Sequence, residues 1–465
     1  MKLRMRLNDV LTYLLPYILG LFLFITFTMA KTPPNNILLQ SQSPLNQQLF
    51  WMNLESKTLQ YPYMYPVIEP NFISNPNYNF YQKWHKFNMS TISFRSTYSL
   101  LSESNSLSSS IFGTIHIRLN KYLHLQNDFA LSDNFNSNQH FDGQIVQSGL
   151  GWAGYLQNSS LLFYDSGNYF ILANGNIFTS PFRSSLLINA DIPPYTYFFW
   201  HQNIESLKFD WSLIFLEQIN NKQRFISLHR YAYEKSFCRV GFTELILLAY
   251  DKMSGAEIEY ILPSSVLLES EVNGSLNSNL IWCLDFSIKY YGYTLISELL
   301  IDDISIDGNS PQRLAFQIGV GYARNNSSYF IKYTRLNRWV GNYYLPELRF
   351  TYYDKLIGHP LGPDAHSLEI SFYKKWKSKI NFTGQIVIKE LGASDINDWP
   401  KSMLSSNDFN FGYSEEPFPS SPIFNEQMLK LSMGYLLFHN MKIDLSVDYS
   451  SKTNIYMKFR LNLVI

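Results

Sequence analysis

The chain has 465 residues, with 37 basic and 37 acidic side chains and an aromatic content of 17%. A formal charge of zero with no basic block argues against nucleic acid as a partner. Two cysteines, Cys238 and Cys283, are too few for a disulfide framework. They either pair in an oxidising compartment or stay as two small residues on strands, and nothing in the sequence brings them together.

Taken in order, the chain opens with Lys2, Arg4 and Arg6, then a mostly apolar run from Val10 to Thr28. Thr28-Met29-Ala30 supplies small residues at a cleavage site, so residues 1–30 read as a signal peptide for export. An uncleaved anchor is the rival, because the run approaches spanning length, although Pro16 and Gly20 interrupt it. No later stretch reaches the roughly 18 apolar residues of a spanning helix, so a membrane-embedded mature chain would have to be a barrel. Residues 31–85 are rich in Pro, Asn and Tyr and show little alternation. We read them as a short periplasmic extension with a small helical part at Leu45 to Ser56, where Leu49, Trp51 and Leu54 share a side.

From about Ser90 the period becomes two. Ile115, Ile117 and Leu119 oppose His116 and Arg118, and after a turn at Asn120-Lys121, Leu123 and Leu125 oppose His124 and Gln126. Trp282, Leu284, Phe286 and Ile288 oppose Cys283, Asp285, Ser287 and Lys289. The same reading gives strands at Leu348–Phe350–Tyr352, Leu368–Ile370–Phe372, Leu429 to Tyr435 and Ile443 to Tyr449. In the last eleven residues, Ile455, Met457, Phe459, Leu461, Leu463 and Ile465 alternate with Tyr456, Lys458, Arg460 and Asn462. A strand sends successive side chains to opposite faces, so each segment has one greasy and one polar face. In lipid, such strands must be hydrogen-bonded on both edges, which a closed barrel achieves. The ionic face, Lys458 and Arg460 included, then points at a wet lumen. An aromatic content this high suits the interfacial girdles of a barrel, though an aromatic-rich secreted β-sandwich shares it.

The expected fold class is therefore all-β: a closed antiparallel transmembrane barrel of about eighteen strands over residues 86–465. Gly392 to Pro422, with four prolines, is expected to be a long outer loop. No metal-ligand spacing, phosphate-binding glycine loop or nucleophile elbow occurs, so neither an enzyme nor a cofactor is expected. His116 and His124 read as lumenal polar residues.

Several stretches together resemble the capsule-assembly Wzi family of outer-membrane barrels. The most specific is Tyr353 to Ala365, which contains Gly358-His359-Pro360-Leu361-Gly362-Pro363-Asp364 and is similar to a strand, Gly-x-Pro-Leu-Gly turn, strand arrangement. Leu299 to Ile304 carries the acidic pair Asp302-Asp303. Ile226 to Arg230, with His229 and Arg230, precedes Gly241 to Glu244. Ser184 to Pro193 and the start of the periplasmic segment, Trp51 to Ile73, complete the set. Phe178 to Phe182 departs from the family's Trp-Gly-Pro-Gly turn, and the chain ends in Ile465 without the usual aromatic. The resemblance implies a lectin-like role in the outer membrane. A monomer would hold capsular or extracellular polysaccharide without turnover, with outer-membrane lipid around it. A porin or transporter for small polar solutes is the alternative. Gly358, Pro360, Leu361 and Gly362 are expected to shape a turn, with Asp364 beside it. Asp302, Asp303, Arg230 and Glu244 are expected to form charge pairs that brace the lumen.

Overall fold

In the computed structural model, described residues are 65–66 and those from 91 to 464 apart from 102–105, 121, 133–152, 166–167, 181, 183, 190–191, 193, 252–257, 264–266, 268–277, 304–311, 354, 377–378, 399–417, 439–440 and 452. For Thr91–Leu101 and Thr453–Val464 the description covers backbone pairing only. The signal, the helical part at 45–56 and the side chains of Lys458 and Arg460 lie outside it.

Eighteen long strands follow one another. They are β1 (Thr91–Leu101), β2 (Ser106–Arg118), β3 (Leu123–Ser132), β4 (Ala153–Asp165), β5 (Asn168–Gly175) and β6 (Tyr195–Ile204). Next come β7 (Leu207–Phe215), β8 (Gln223–Lys235), β9 (Cys238–Tyr250), β10 (Ser278–Tyr290), β11 (Tyr293–Asp303) and β12 (Arg313–Arg324). The set ends with β13 (Ser327–Leu336), β14 (Ala365–Trp376), β15 (Ile380–Leu391), β16 (Phe424–Phe438), β17 (Met441–Ser450) and β18 (Thr453–Val464). Each pairs antiparallel with the next, and β1 pairs with β18 from Arg95↔Val464 to Leu101↔Lys458, which joins the first strand to the last in a closed barrel. Arg460 pairs in register with Asp444, and Lys458 with Ser446.

Alternation sorts the wall as period two requires. On β12, Phe316, Ile318 and Val320 are exposed outward, while Ala315 and Gln317 are buried inward. Tyr329 and Ile331 on β13, Leu368, Ile370 and Phe372 on β14, and Ile386 and Ile388 on β15 continue the exposed apolar band. No soluble surface tolerates so wide a band, and a bilayer requires it. Around the short turns Tyr290, Tyr291, Tyr293, Tyr329 and Trp376 are also exposed and form one aromatic girdle. Tyr291-Gly292 and Asn325-Asn326 have positive φ at both positions, the mirror-image turn that matches strand twist.

The longer connections that have described residues, 176–194, 251–277, 337–364 and 392–423, join the strands at the opposite end, with the short turns and both ends of the strand sequence at the other. By the usual barrel rule the long-loop end faces outward.

Two expectations are corrected here. Leu348, Phe350 and Tyr352 alternate but are not part of a spanning strand. They belong to the 337–364 connection, a 3₁₀ turn at Pro346–Leu348 and a two-residue strand at Thr351–Tyr352, and all three are buried. The lumen is also not uniformly wet. From β5 to β13 the inward face near the outer end is apolar, with Ile171, Tyr197, Ile226, Leu245, Ile281 and Leu300 packed against Leu186–Ile188 and against Leu348, Phe350 and Ile357. Connections folded into the barrel supply the partners that make an apolar lumen face favourable.

Candidate functional site

The inward position of 337–364 rests on Arg224. Its guanidinium is fully buried on β8. Nε donates to Glu347 O at 2.7 Å, and Nη2 donates to Arg349 O at 2.7 Å and Thr351 O at 3.0 Å. Nη1 lies 3.1 Å from Glu217. One rigid fork thus satisfies three carbonyls of a connection whose own ladder is only the two-residue pairing of Thr351–Tyr352 with Lys355–Leu356. Asn279 donates to Leu348 O at 3.2 Å, Arg313 to Asn342 O at 3.1 Å, and Gly341 N to Asp302 Oδ2 at 2.8 Å.

The 176–194 connection is held by Glu298, buried on β11. Its carboxylate accepts from Ser180, from Leu186 N at 3.2 Å and from Gln317, which also donates to Ser184 O at 2.9 Å. The two connections touch. Asn189 N donates to Ile357 O at 2.8 Å, and a Cβ at Gly358 would stand 2.6 Å from Leu186 O, so only glycine permits this approach. Tyr65–Pro66 pairs antiparallel with Ile177–Phe178, which brings these two residues to the same place.

The residues singled out in the sequence fall into separate roles. Gly358 is the contact point just described. Gly362 has φ +79° and its N–H donates to His359 O at 3.1 Å, closing the turn; Pro360 is exposed and Leu361 packs on the lumen cluster. His359 is buried, its Nδ1 accepts from Leu361 N at 3.2 Å and its Nε2 has no hydrogen-bond partner. Burial pushes its pKa well below the ordinary value of 6.5, helped by Lys332. Asp364 ties down both ends of the 392–423 loop, accepting from Ser420 N at 3.0 Å and from Ser394 N at 3.4 Å. Asp302 braces Gly341 and lies 3.7 Å from Arg313. Asp303 pairs with Arg313 through its backbone, beyond a register shift, and its side chain is outside the description.

His229 and Arg230 pair in register with Glu244 and Thr243, so the two halves of that motif face each other across β8 and β9. Arg230 points inward and binds Asp285 through both terminal nitrogens (Nη2 to Oδ1 3.0 Å), with Thr243 at 3.2 Å. Asp210 lies 4.0 Å from Arg230 and 2.6 Å from His201. Glu244 is not its partner, which corrects the expected lumen pairing. Glu244 and His229 occupy the alternate positions and face outward, yet both are buried. Among the described residues of the 251–277 connection, Leu267 lies against Glu244. Tyr260 and Leu267 pack with Leu213, Phe225, Ile246 and Leu248 on the outer wall, and Leu267 N–H bonds to Glu244. His124 points inward and is buried, and both cysteines are free. His116 has no described side chain.

Sequence reasoning missed Arg224, Glu298 and Glu347. The available signal was a lone charge among inward apolar residues, as with Glu298 between Ile296 and Leu300 on β11. Glu347 sits at the outer rim, where Lys222 approaches at 2.6 Å and Asn220 at 3.1 Å. Burial opposes ionisation of Glu347 and is the largest single influence, but hydrogen bonds from Lys222, its own backbone and Asn220, with the Lys222 charge, together outweigh it and keep the carboxyl below its ordinary range. Among the described residues no group of histidine, cysteine and carboxylate side chains could hold a metal ion.

No family model and no curated protein matches this sequence. Among solved structures, the chain is similar to Wzi of Escherichia coli, described as an outer-membrane carbohydrate-binding β-barrel involved in group 1 capsule assembly. The TM-score is 0.59 at 10% identity, covering 92% of this chain and 99% of Wzi. OccK5 (OpdH) of Pseudomonas aeruginosa follows at TM-score 0.44 and 11% identity, covering 81% of this chain and 98% of that one. OccD1 (OprD) gives 0.46 at 11%, covering 81% and 95%. With its exposed apolar band and its closed strand ring, the chain has the fold of the Wzi barrel.

Proposed function

We propose that this protein binds capsular or extracellular polysaccharide at the cell surface and holds it without chemical turnover. The observation that carries the reading is the occupied lumen. Two connections fold inward from the outer end and are fastened to the wall by the buried groups Arg224, Glu298, Asn279 and Asp302. A diffusion channel needs that space open, whereas a binding protein gains a rigid outer surface from filling it. The fold likeness to Wzi, itself described as carbohydrate-binding, supports the same reading. The test is paired: single-channel recording in planar bilayers, and retention of the purified barrel on immobilised surface polysaccharide. Silence in the first and retention in the second are expected; steady porin-sized conductance would overturn the proposal.

A further inference from the structure

The outer rim carries two exposed aromatic rings on the most firmly fastened connection. Tyr344 is 46% exposed and Tyr353 38% exposed. Each is backed by a second ring: Tyr343 stacks on Tyr344 at 4.9 Å and 29°, and Tyr352 lies 4.6 Å from Tyr353. Both border the turn between β7 and β8. Tyr353 N donates to Glu217 at 2.9 Å, and Tyr344 is close enough to Lys222 to act on its charge. Between them the backbone of Glu347, Arg349 and Thr351 is pinned by Arg224, so the rings are presented without an ordering cost on binding.

Flat rings in a half-polar rim suit the apolar faces of pyranose units, and nearby amides and carboxylates suit their hydroxyls. The charges around the rings decide the class of sugar. Three cations lie nearby: Lys222 is held by Glu347 at 2.6 Å, Arg349 by Tyr343 O and Asn397 at 3.3 Å each, and Lys355, half-buried, sits on the short strand paired in register with Tyr352. The exposed charges on the adjoining 392–398 stretch are Asp395 and Asp398. A polyanionic chain laid here would meet the exposed carboxylates Asp395 and Asp398, while Lys222 and Arg349 are already engaged.

We infer that Tyr344 and Tyr353 form the stacking platform for an uncharged polysaccharide, the rings flanking the Glu217–Lys222 turn. This rests on the polysaccharide-binding reading above and narrows it to one site and one class. The test uses the full-length barrel in detergent on an array carrying neutral glucans, mannans and galactans beside alginate and hyaluronate. Retention on a neutral polymer is expected. Tyr344→Ala and Tyr353→Ala should each weaken it about tenfold, whereas Tyr344→Phe should keep most of it. Thermal unfolding should be unchanged, since both rings are surface groups. Retention on neutral polymer that survives Tyr344→Ala/Tyr353→Ala overturns the site and leaves the binding reading standing. Retention only on alginate or hyaluronate overturns the class, and retention on nothing removes both.

Discussion

The two faces of the β8–β9 pair handle polar residues in opposite ways. Inside, Arg230 is paired with Asp285 and shared with Thr243, and Arg224 fastens the 337–364 connection. Outside, His229 and Glu244 stand buried on a wall that elsewhere meets lipid, with Leu267 bonded to Glu244 and Tyr260 packed on the same wall. At mid-height on β12 to β15 the outer wall is apolar and bare at Phe316, Ile318, Leu368 and Ile370. A connection therefore goes where the wall has polar groups to satisfy: inward at Arg224 and Glu298, outward at Glu244. The cost of an unsatisfied buried polar group explains both directions.

The comparison is broken most severely by removing an inward connection. Replacing 337–364 with a short turn between β13 and β14 should convert a silent barrel into one with steady conductance in planar bilayers, while removing the outward 251–277 connection should not. Arg224→Ala strands Glu217 and frees three carbonyls, and should cost about 3–5 kcal/mol in unfolding experiments; Arg224→Lys should recover only part, because an ammonium cannot reproduce the fork. On the bare outer wall, Ile318→Arg should cost about 2–4 kcal/mol in lipid bilayers. On the covered wall, Glu244→Ala leaves the Leu267 amide unsatisfied and should cost about 1–3 kcal/mol, with new protease cleavage between 251 and 277.

The smallest effect sharpens the comparison by pH. His359 is held neutral by burial, so its folded pKa lies below the unfolded value. The folded connection then binds fewer protons than the opened one. Its stability is complete above about pH 6.5 and falls as pH drops below that value. Protease sensitivity of 337–364 should rise between pH 7 and 5, and His359→Gln should flatten that dependence. An unchanged pH profile in the variant would show that His359 does not couple the connection to protons.

Much of the wall was legible from alternation alone. Leu284 out with Asp285 in, and Ile370 out with Ser371 in, are fixed by strand geometry once one face must meet lipid. The turn chemistry of Gly358 to Asp364 was legible too, although the reason Gly358 must be glycine is Leu186, over 150 residues away. The same alternation misled at Leu348, Phe350 and Tyr352, because a folded-in connection with one buried side has the period of a strand. It misled at Glu244 as well, since a charge on a strand says only that water or a partner must be near, not on which side of the wall.

The order of apolar and polar residues by itself determined that this chain makes many two-faced strands, and that those strands need a barrel, because lipid satisfies no backbone group. Only the tertiary structure decided which connections turn into the lumen, which one lies on the outer wall, and which charges meet. Those choices depend on contacts between residues far apart in sequence, Arg224 with Glu347 or Asn189 with Ile357, and local periodicity carries no information about such pairs.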